Sequence, residues 1–174
     1  MFLETDRLTL RRFTPADADP LVDLDSDPAV MRFLTNGRPT PRATIENEVL
    51  PAILRGYESG PGGRWAAVER GTGDFVGWFA LDPSSPDGGL ELGYRLRAAT
   101  WGRGYATEGA RALVRAAFEE LGARRVWAQT MAVNLASRRV MEKAGLRYVR
   151  TFHLQFDDPV PGTELGEVEY EVLR

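Results

Sequence analysis

The segment with the clearest chemical potential is a glycine-rich turn, WGRGYATEG at residues 101–109. It follows a strand pattern and opens a helix, whose first backbone N–H groups lack partners within the helix and carry the positive end of its dipole. Gly102 and Gly104 have no side chains that would keep an anion away from those groups. The turn therefore predicts a phosphate-binding site.

Two common nucleotide-binding motifs do not match this turn. A Walker A loop needs a lysine and then a serine or threonine after its second glycine, and the chain has Tyr105 and Ala106 there. A dinucleotide fingerprint needs a third glycine where Thr107 stands, and an acidic residue near the end of the next strand, where Gln129 and Thr130 stand. A nucleotide-binding protein is therefore the weakest interpretation.

The composition restricts the chemistry further. The chain has 174 residues, 43% of them hydrophobic, and no linker long enough to divide it, so we expect residues 1–174 to form one domain. It contains no cysteine and one histidine, which excludes thiolate nucleophiles and argues against a metal site. The net charge of −3 argues against a nucleic-acid partner. No apolar run is long enough to cross a membrane and no signal pattern is present, so we expect a cytoplasmic protein without a membrane partner.

The hydrophobic patterns predict seven strands, at residues 8–13, 65–69, 75–81, 90–97, 125–130, 146–154 and 166–173. Helical segments are expected over residues 15–34 with a break near Pro28, and from Pro41 toward Tyr57 with a kink or break at Pro51. A strongly periodic helix opens at the glycine turn, and a short one follows Asn134. The strand–helix–strand unit at residues 90–130 predicts a parallel pair of strands with a right-handed crossover.

The glycine turn resembles the acyl-CoA loop of the GCN5-related N-acetyltransferases (GNAT), whose pattern is Gln/Arg-x-x-Gly-x-Gly/Ala. Gly104 and Ala106 match its last two defined positions, while Trp101 stands where Gln or Arg is usual. That departure is frequent in the RimJ/RimL-like branch. The segments LETDRLTLRRFTPADAD, LELGYRL and NLASRRVMEKAGLRYV are similar to the same branch, and the four pieces span most of the chain in the right order.

This resemblance implies an α/β (α+β) GNAT fold: a mixed sheet of six to seven strands, splayed between its fourth and fifth strands and flanked by about four helices. It implies acetyl-CoA as the co-substrate, bound in the cleft. The pantetheine arm would pair with the backbone, and a backbone N–H at a strand bulge near Leu96 would polarise the thioester oxygen. The residues implied in cofactor binding are Leu96, Arg97, Gly102, Arg103, Gly104, Tyr105, Ala106, Thr107, Asn134 and Arg139.

Some of these residues have an equally ordinary structural interpretation. Arg103 fits a solvated loop charge as well as a phosphate contact. Asn134 is a natural helix N-cap, whereas the matching asparagine of the family contacts the pantetheine arm. Arg139 is the preferred candidate for the 3′-phosphate of CoA, although Arg138, Arg139 and Lys143 together also suit a solvated helix face.

Two residues are candidates for proton transfer. Glu91, on the strand that borders the cleft, is the candidate general base acting through water, and its alternative role is an ion pair with an arginine. Ser137 matches a serine proposed in this branch to protonate the departing thiolate, and its alternative role is a capping side chain. Met141 stands where many related enzymes have a tyrosine acid. Tyr94 lies on the opposite strand face from Glu91, and we expect it to pack in the core.

The resemblance thus implies direct acetyl transfer from acetyl-CoA to a primary amine in a ternary complex. The acceptor is either a protein or peptide N-terminus or a small-molecule amine. The acidic loop residues Asp157, Asp158 and Glu164 would attract a cationic amine, and a solvated loop explains them as well. The alternative is an acyl-CoA-binding sensor or interaction module without turnover, supported only by Met141 and Trp101. Homodimers are common in this branch, but no feature of the sequence dictates one.

Overall fold

Eight strands form one mixed sheet in the computed structural model, which describes residues 2–58, 60, 62–83 and 89–174. The strands are β1 Leu3–Glu4, β2 Leu8–Arg12, β3 Gly63–Glu69, β4 Phe75–Asp82, β5 Leu90–Leu96, β6 Arg125–Met131, β7 Arg147–Phe152 and β8 Glu167–Leu173. Their order across the sheet is β1-β2-β3-β4-β5-β6-β8-β7. The seven predicted strands are all present, and β1 is an additional one. Residues 84–88, in the Pro/Ser/Gly-rich segment between β4 and β5, lie outside the described residues.

The helices lie on both faces of the sheet. They are α1 Ala18–Ser26, α2 Pro28–Thr35, α3 Arg42–Thr44, α4 Leu50–Gly56, α5 Tyr105–Glu119 and α6 Leu135–Lys143. A π-helical turn, Ile45–Val49, joins α3 to α4 and makes them one continuous helix. Within the described residues, every helix is too short or too polar to cross a bilayer.

The sheet divides at its one parallel pair. β5 and β6 run parallel, joined by the crossover through α5, and all other neighbouring strands are antiparallel. Although each strand has seven residues, they pair only at Leu90↔Val126 and Glu91↔Trp127. Beyond these two pairs the strands diverge. The splay expected between the fourth and fifth predicted strands is confirmed, and it lies between β5 and β6 because β1 shifts the count by one.

Alternate residues of β5 point to opposite faces of the sheet, and each face packs into a different hydrophobic cluster. Leu90, Leu92 and Leu96 of β5 belong to the larger cluster, which includes Leu113 of α5. Gly93 of the same strand instead lies beside Trp78 and Ala80, which belong to the smaller cluster with residues of α1 and α4. This period of two places the odd-numbered residues of β5 on the face opposite α5.

Helix α5 has the apolar stripe that the sequence predicts. Ala110, Leu113, Val114 and Ala117 are all buried. The helix lies unusually close to β4, because a Cβ atom on Gly109 would be 2.3 Å from Cζ of Phe79. Close packing of α5 fixes the position of its N-terminus, which follows the glycine turn.

Two prolines shape the helices of the other face. The break predicted near Pro28 is confirmed, since Asp27 is extended, ends α1 and caps α2 by accepting a hydrogen bond from the Ala29 N–H. The helix continues through Pro51, so the break that the sequence allowed there does not occur. The preceding turn widens to π geometry instead, which relieves the clash of the proline ring with the carbonyl four residues earlier.

Candidate active site

A cavity of about 950 Å³ occupies the gap between β5 and β6. Its walls come from both diverging strands, from the glycine turn with the start of α5, and from α6. On the other face of the sheet it is lined by α2 and by the loop between β7 and β8. The cavity therefore passes through the sheet and is lined by residues on both of its faces.

The glycine turn contributes the start of α5 to this cavity. Gly104 is the N-cap with φ 84°, and Gly102 has φ 73°, a left-handed conformation that favours glycine. A Cβ atom on Gly102 would meet no protein atom within 4 Å, so among the contacts within the protein it is the left-handed conformation that favours glycine there. Tyr105, Ala106 and Thr107 open the helix and line the cavity, where the first N–H groups of a helix attract anions.

The N-terminal segment holds this turn in place. Thr5 Oγ1 donates to Glu108 Oε1 at 2.6 Å, and the Arg7 backbone N–H donates to the same oxygen at 2.9 Å. The Arg7 guanidinium pairs with Glu108 Oε2 at 2.6 Å and donates to the Arg103 carbonyl at 2.8 Å. The residues of the LETDRL segment thus act as a clamp on the glycine turn, a role that the sequence analysis missed.

Glu108→Gln tests this clamp through its pH dependence. Burial raises the pKa of Glu108, but the hydrogen bonds from Thr5 and Arg7 outweigh it and hold the pKa below its ordinary value of 4.5. The ionised carboxylate therefore contributes stability above pH 4.5, and that contribution is lost as the pH falls through the lowered folded-state pKa.

We expect Glu108→Gln to lower the free energy of unfolding at pH 7 by about 1–2 kcal/mol. Urea titrations across pH measure this difference, which should shrink in acid. Glu119→Gln, at the exposed end of the same helix, is the matched control. A difference that stayed constant with pH would contradict the role of the charge.

Leu96 and Arg97 differ in what their backbones can offer a ligand. The Arg97 N–H donates to the Val76 carbonyl of β4 at 2.9 Å, so it is turned away from the gap. The antiparallel pattern then directs the N–H and carbonyl of Leu96 into the gap. Its carbonyl accepts a hydrogen bond from Trp101 Nε1 at 2.9 Å, which leaves the N–H as the open group.

The bulge expected near Leu96 is wrong. β5 pairs with β4 in unbroken register from Glu91 to Leu96. A register shift is found instead between β3 and β4, at Ala67 and Val68.

The two arginines predicted to meet phosphates are placed differently. Arg103 does not line the cavity: its guanidinium pairs with Glu69 at 3.2 Å and lies over the Tyr105 ring at 4.9 Å. Arg139 lines the cavity, is exposed, and has no hydrogen bond or ion pair to other described residues. Its neighbour Arg138 is held by the Tyr170 hydroxyl and the Ala132 carbonyl.

Asn134 and Ser137 both lie at the start of α6 and line the cavity. Asn134 is the N-cap: its Oδ1 accepts from the Ser137 N–H at 3.3 Å, and its Nδ2 donates to Thr130 Oγ1 at 3.1 Å. Its predicted structural role is therefore present, and its contact with the pantetheine arm stays a prediction.

Tyr94 is a cavity residue as well as a core one, which the sequence analysis missed. It packs near Phe79, but its hydroxyl lies 3.0 Å from both the carbonyl and Oγ of Ser137. Burial raises the pKa of Tyr94 to about 12, although the Ser137 hydrogen bond acts in the opposite direction. The Tyr94 hydroxyl therefore keeps its proton at neutral pH and orients Ser137.

Ser137→Ala is expected to lower kcat by no more than about thirtyfold. A thiol has a pKa near 8.5, so an acid can save about 2 kcal/mol at pH 7 when the thiolate leaves. The loss should fade as the pH rises past the thiol pKa, and KM for acetyl-CoA should stay unchanged. Steady-state kinetics at pH 7 and 9 measure both. Tyr94→Phe, which removes the hydroxyl that orients Ser137, should lose part of the same activity, whereas Glu119→Gln at the exposed end of α5 should match wild type. A loss independent of pH would indicate a structural role alone.

Glu91 enters the cavity from the other face of the sheet. It shares that face with Gly93 and Arg95, and the Arg95 guanidinium is held by Asp25 at 2.5 Å. Tyr94 and Ser137 therefore line one side of the gap and Glu91 the other. This arrangement suits two reactants that approach from opposite faces of the sheet.

The wall on the Glu91 side is partly apolar. Phe33 and Leu34 of α2 and Leu154 and Phe156 of the β7–β8 loop line the cavity there. An ion pair between Arg38 and Asp158 connects the two segments.

Few of the other polar residues considered in the sequence reach this wall. Of the acidic loop residues singled out there, Asp158 lines the cavity, whereas Asp157 and Glu164 do not. Nor does His153. Among the described residues, no cluster of three or more His, Cys, Asp or Glu could hold a metal ion.

The chain matches the acetyltransferase (GNAT) domain family over residues 7–147. It is 40% identical to the FsC-acetyl coenzyme A-N(2)-transacetylase of Aspergillus fumigatus, over 99% of this chain and 76% of that protein. A GNAT-family acetyltransferase from Bacillus anthracis is 25% identical, with a TM-score of 0.84 over 99% of this chain and 98% of that one. The Vibrio cholerae spermidine N-acetyltransferase, solved with CoA and spermine, has the same fold at 14% identity, with a TM-score of 0.79 over 97% and 96% of the chains.

Proposed function

Because the chain belongs to the GNAT acetyltransferase family and is an acetyl-CoA-dependent N-acetyltransferase, we propose that its acceptor is a primary amine of a small molecule. The observation that carries this proposal is the single cavity through the sheet, with Glu91 on one side and the Tyr94–Ser137 pair on the other. The Aspergillus fumigatus relative, 40% identical to this chain, is named for the transfer of acetyl from acetyl coenzyme A to a nitrogen of FsC. On its motifs we also place the chain in the RimJ/RimL-like branch.

The residues present fit acetyl-CoA. The N–H groups of Tyr105, Ala106 and Thr107 at the start of α5 would hold the diphosphate without a basic side chain. The Leu96 N–H is available in the gap for the pantetheine arm, and Arg139 is available for the 3′-phosphate. Binding both reactants in one cavity replaces a bimolecular encounter, and such positioning supplies much of the rate enhancement of transfer reactions.

The transfer then proceeds in one complex. The amine nitrogen attacks the thioester carbon, a C–N bond forms, and the C–S bond breaks with its electron pair left on sulfur. Glu91 receives the proton of the amine through a water molecule. The thiolate takes a proton from the Ser137 hydroxyl, which regains one from solvent, or takes it directly from water. The chain has no cysteine, so no acyl-cysteine intermediate precedes the attack.

The nature of the acceptor decides how much the base matters. An α-amine with a pKa near 7.8 costs about 1 kcal/mol to deprotonate at pH 7, whereas an alkylamine like that of lysine, near 10.4, costs about 5 kcal/mol. A small aliphatic amine therefore depends strongly on Glu91. A peptide N-terminus depends on it much less.

A thiol-release assay on a mixed panel of small amines and peptides tests the proposed function. We expect turnover on small amines, with the acetylated product identified by mass spectrometry. Turnover on peptides alone would contradict the small-molecule acceptor. Thermal stabilisation by CoA without turnover on any acceptor would instead indicate a binding module.

A further inference from the structure

Glu167, the first residue of β8, is a carboxylate of the cavity that the reaction above does not use. It lies on the Glu91 side of the sheet, between Met131 of β6 and Phe152 of β7. Its side chain makes no hydrogen bond or ion pair with any residue that the structure describes. Partial burial alone raises its pKa, with no cation nearby to lower it.

The other carboxylates on this face are paired. Glu169, two residues along β8, pairs with Arg125 at 2.6 Å and with Arg150 at 2.8 Å. Glu171, two further on, pairs with Arg125 at 2.7 Å. The neighbouring strands therefore supply arginines for Glu169 and Glu171 and none for Glu167. A partly buried carboxylate without a partner is costly, which favours a partner that arrives with the ligand.

Glu167 is too far from Glu91 for both to serve the same nitrogen. Glu91 is level with Trp127, and Glu167 is level with Met131, four residues further along β6. At about 3.3 Å per residue, the two Cα atoms are offset by about 13 Å along the strand direction. The two carboxylates line one cavity but address different parts of whatever lies in it.

We propose that Glu167 binds a second cationic group on the acceptor, so that the preferred acceptors carry two amino groups joined by an apolar spacer. The reacting amine then lies at Glu91, and the second ammonium group is held by a charge-assisted hydrogen bond to Glu167. Phe33, Leu34, Leu154 and Phe156 give the spacer its apolar contacts. This inference rests on the proposed function, since it assigns the acceptor of the same site.

The test compares straight-chain diamines of increasing length with monoamines of the same length, for example cadaverine with pentylamine. We expect the wild-type enzyme to favour the diamine of the best length by about tenfold in kcat/KM. Glu167→Gln should remove that preference by raising KM for the diamine, with little change for the monoamine. Asp157→Asn, an exposed residue of the loop before β8 that does not line the cavity, is the control for loss of charge.

A second variant keeps the charge and moves it. Glu167→Asp withdraws the carboxylate by one methylene, so the best substrate should become the next longer diamine. If Glu167→Gln leaves the diamine preference intact, or slows diamines and monoamines equally, the inference is wrong and the proposed function stands. If no amine of the panel is acetylated while peptides are, both are wrong.

Discussion

Glu91→Gln is expected to lower kcat/KM for a small aliphatic amine by about 10²- to 10³-fold at pH 7, within the range of general base catalysis. Glutamine keeps the size of the side chain and removes its ability to accept a proton. The acceptor amine would then have to reach the thioester already deprotonated. For an alkylamine that is the costly step at neutral pH, which makes this the largest kinetic effect that we expect.

The pH profile distinguishes a base from a structural carboxylate. As the pH rises toward the pKa of the amine, the free base becomes abundant in solution, and the activities of Glu91→Gln and wild type should converge. Glu119→Gln, exposed at the far end of α5, should match wild type throughout. If the activity of Glu91→Gln stayed equally low at high pH, Glu91 would have a structural role and would not be the general base.

Gly104→Val is expected to raise KM for acetyl-CoA by about ten- to hundredfold. The left-handed backbone at Gly104, with φ 84°, costs a side-chain-bearing residue about 1–2 kcal/mol and is worst for a β-branched one. A Cβ atom there would lie 3.3 Å from Arg7 Nη2, the far end of a flexible side chain, so the backbone strain dominates. Relaxing that strain turns the first N–H groups of α5 away from the diphosphate.

A graded series of variants checks the cause. Gly104→Asn should be mild because asparagine tolerates the left-handed conformation, and Gly104→Ala should lie between the two. Gly122→Val has the same kind of strain, with φ 68°, after the opposite end of α5, so it should lower stability and leave KM for acetyl-CoA unchanged. Isothermal titration with CoA measures affinity without turnover. Equal affinities of Gly104→Val and wild type would show that the turn does not bind the diphosphate.

The parts of the fold that follow from local pattern could be predicted from the sequence. The alternation in β5 and the apolar stripe of α5 each depend on neighbours a few residues apart, and both are as predicted. Pro51 shows the limit of such reasoning. Its chemistry demands a disturbance of the helix, but a kink and a π turn both satisfy that demand, and only packing selects between them.

The candidate site was less predictable wherever it depends on distant contacts. Thr5 and Arg7 hold Glu108 from about a hundred residues away, and no periodicity connects the three. Tyr94 faces the core as its strand position predicts, yet the hydroxyl at its tip reaches Ser137. Glu167 stands out only beside its paired neighbours, a comparison that requires the positions of the arginines.

The two halves of the sheet are joined at only two residue pairs, Leu90↔Val126 and Glu91↔Trp127. The pantetheine arm that we propose between β5 and β6 would form hydrogen bonds there that the two strands do not form with each other, and its binding would stabilise the folded enzyme. Because a ligand that binds only the folded state stabilises it by mass action, the heat tolerance of this enzyme is coupled to the supply of acetyl-CoA. A shortage of acetyl-CoA would then lower the stability of the folded enzyme as well as depriving the enzyme of a reactant.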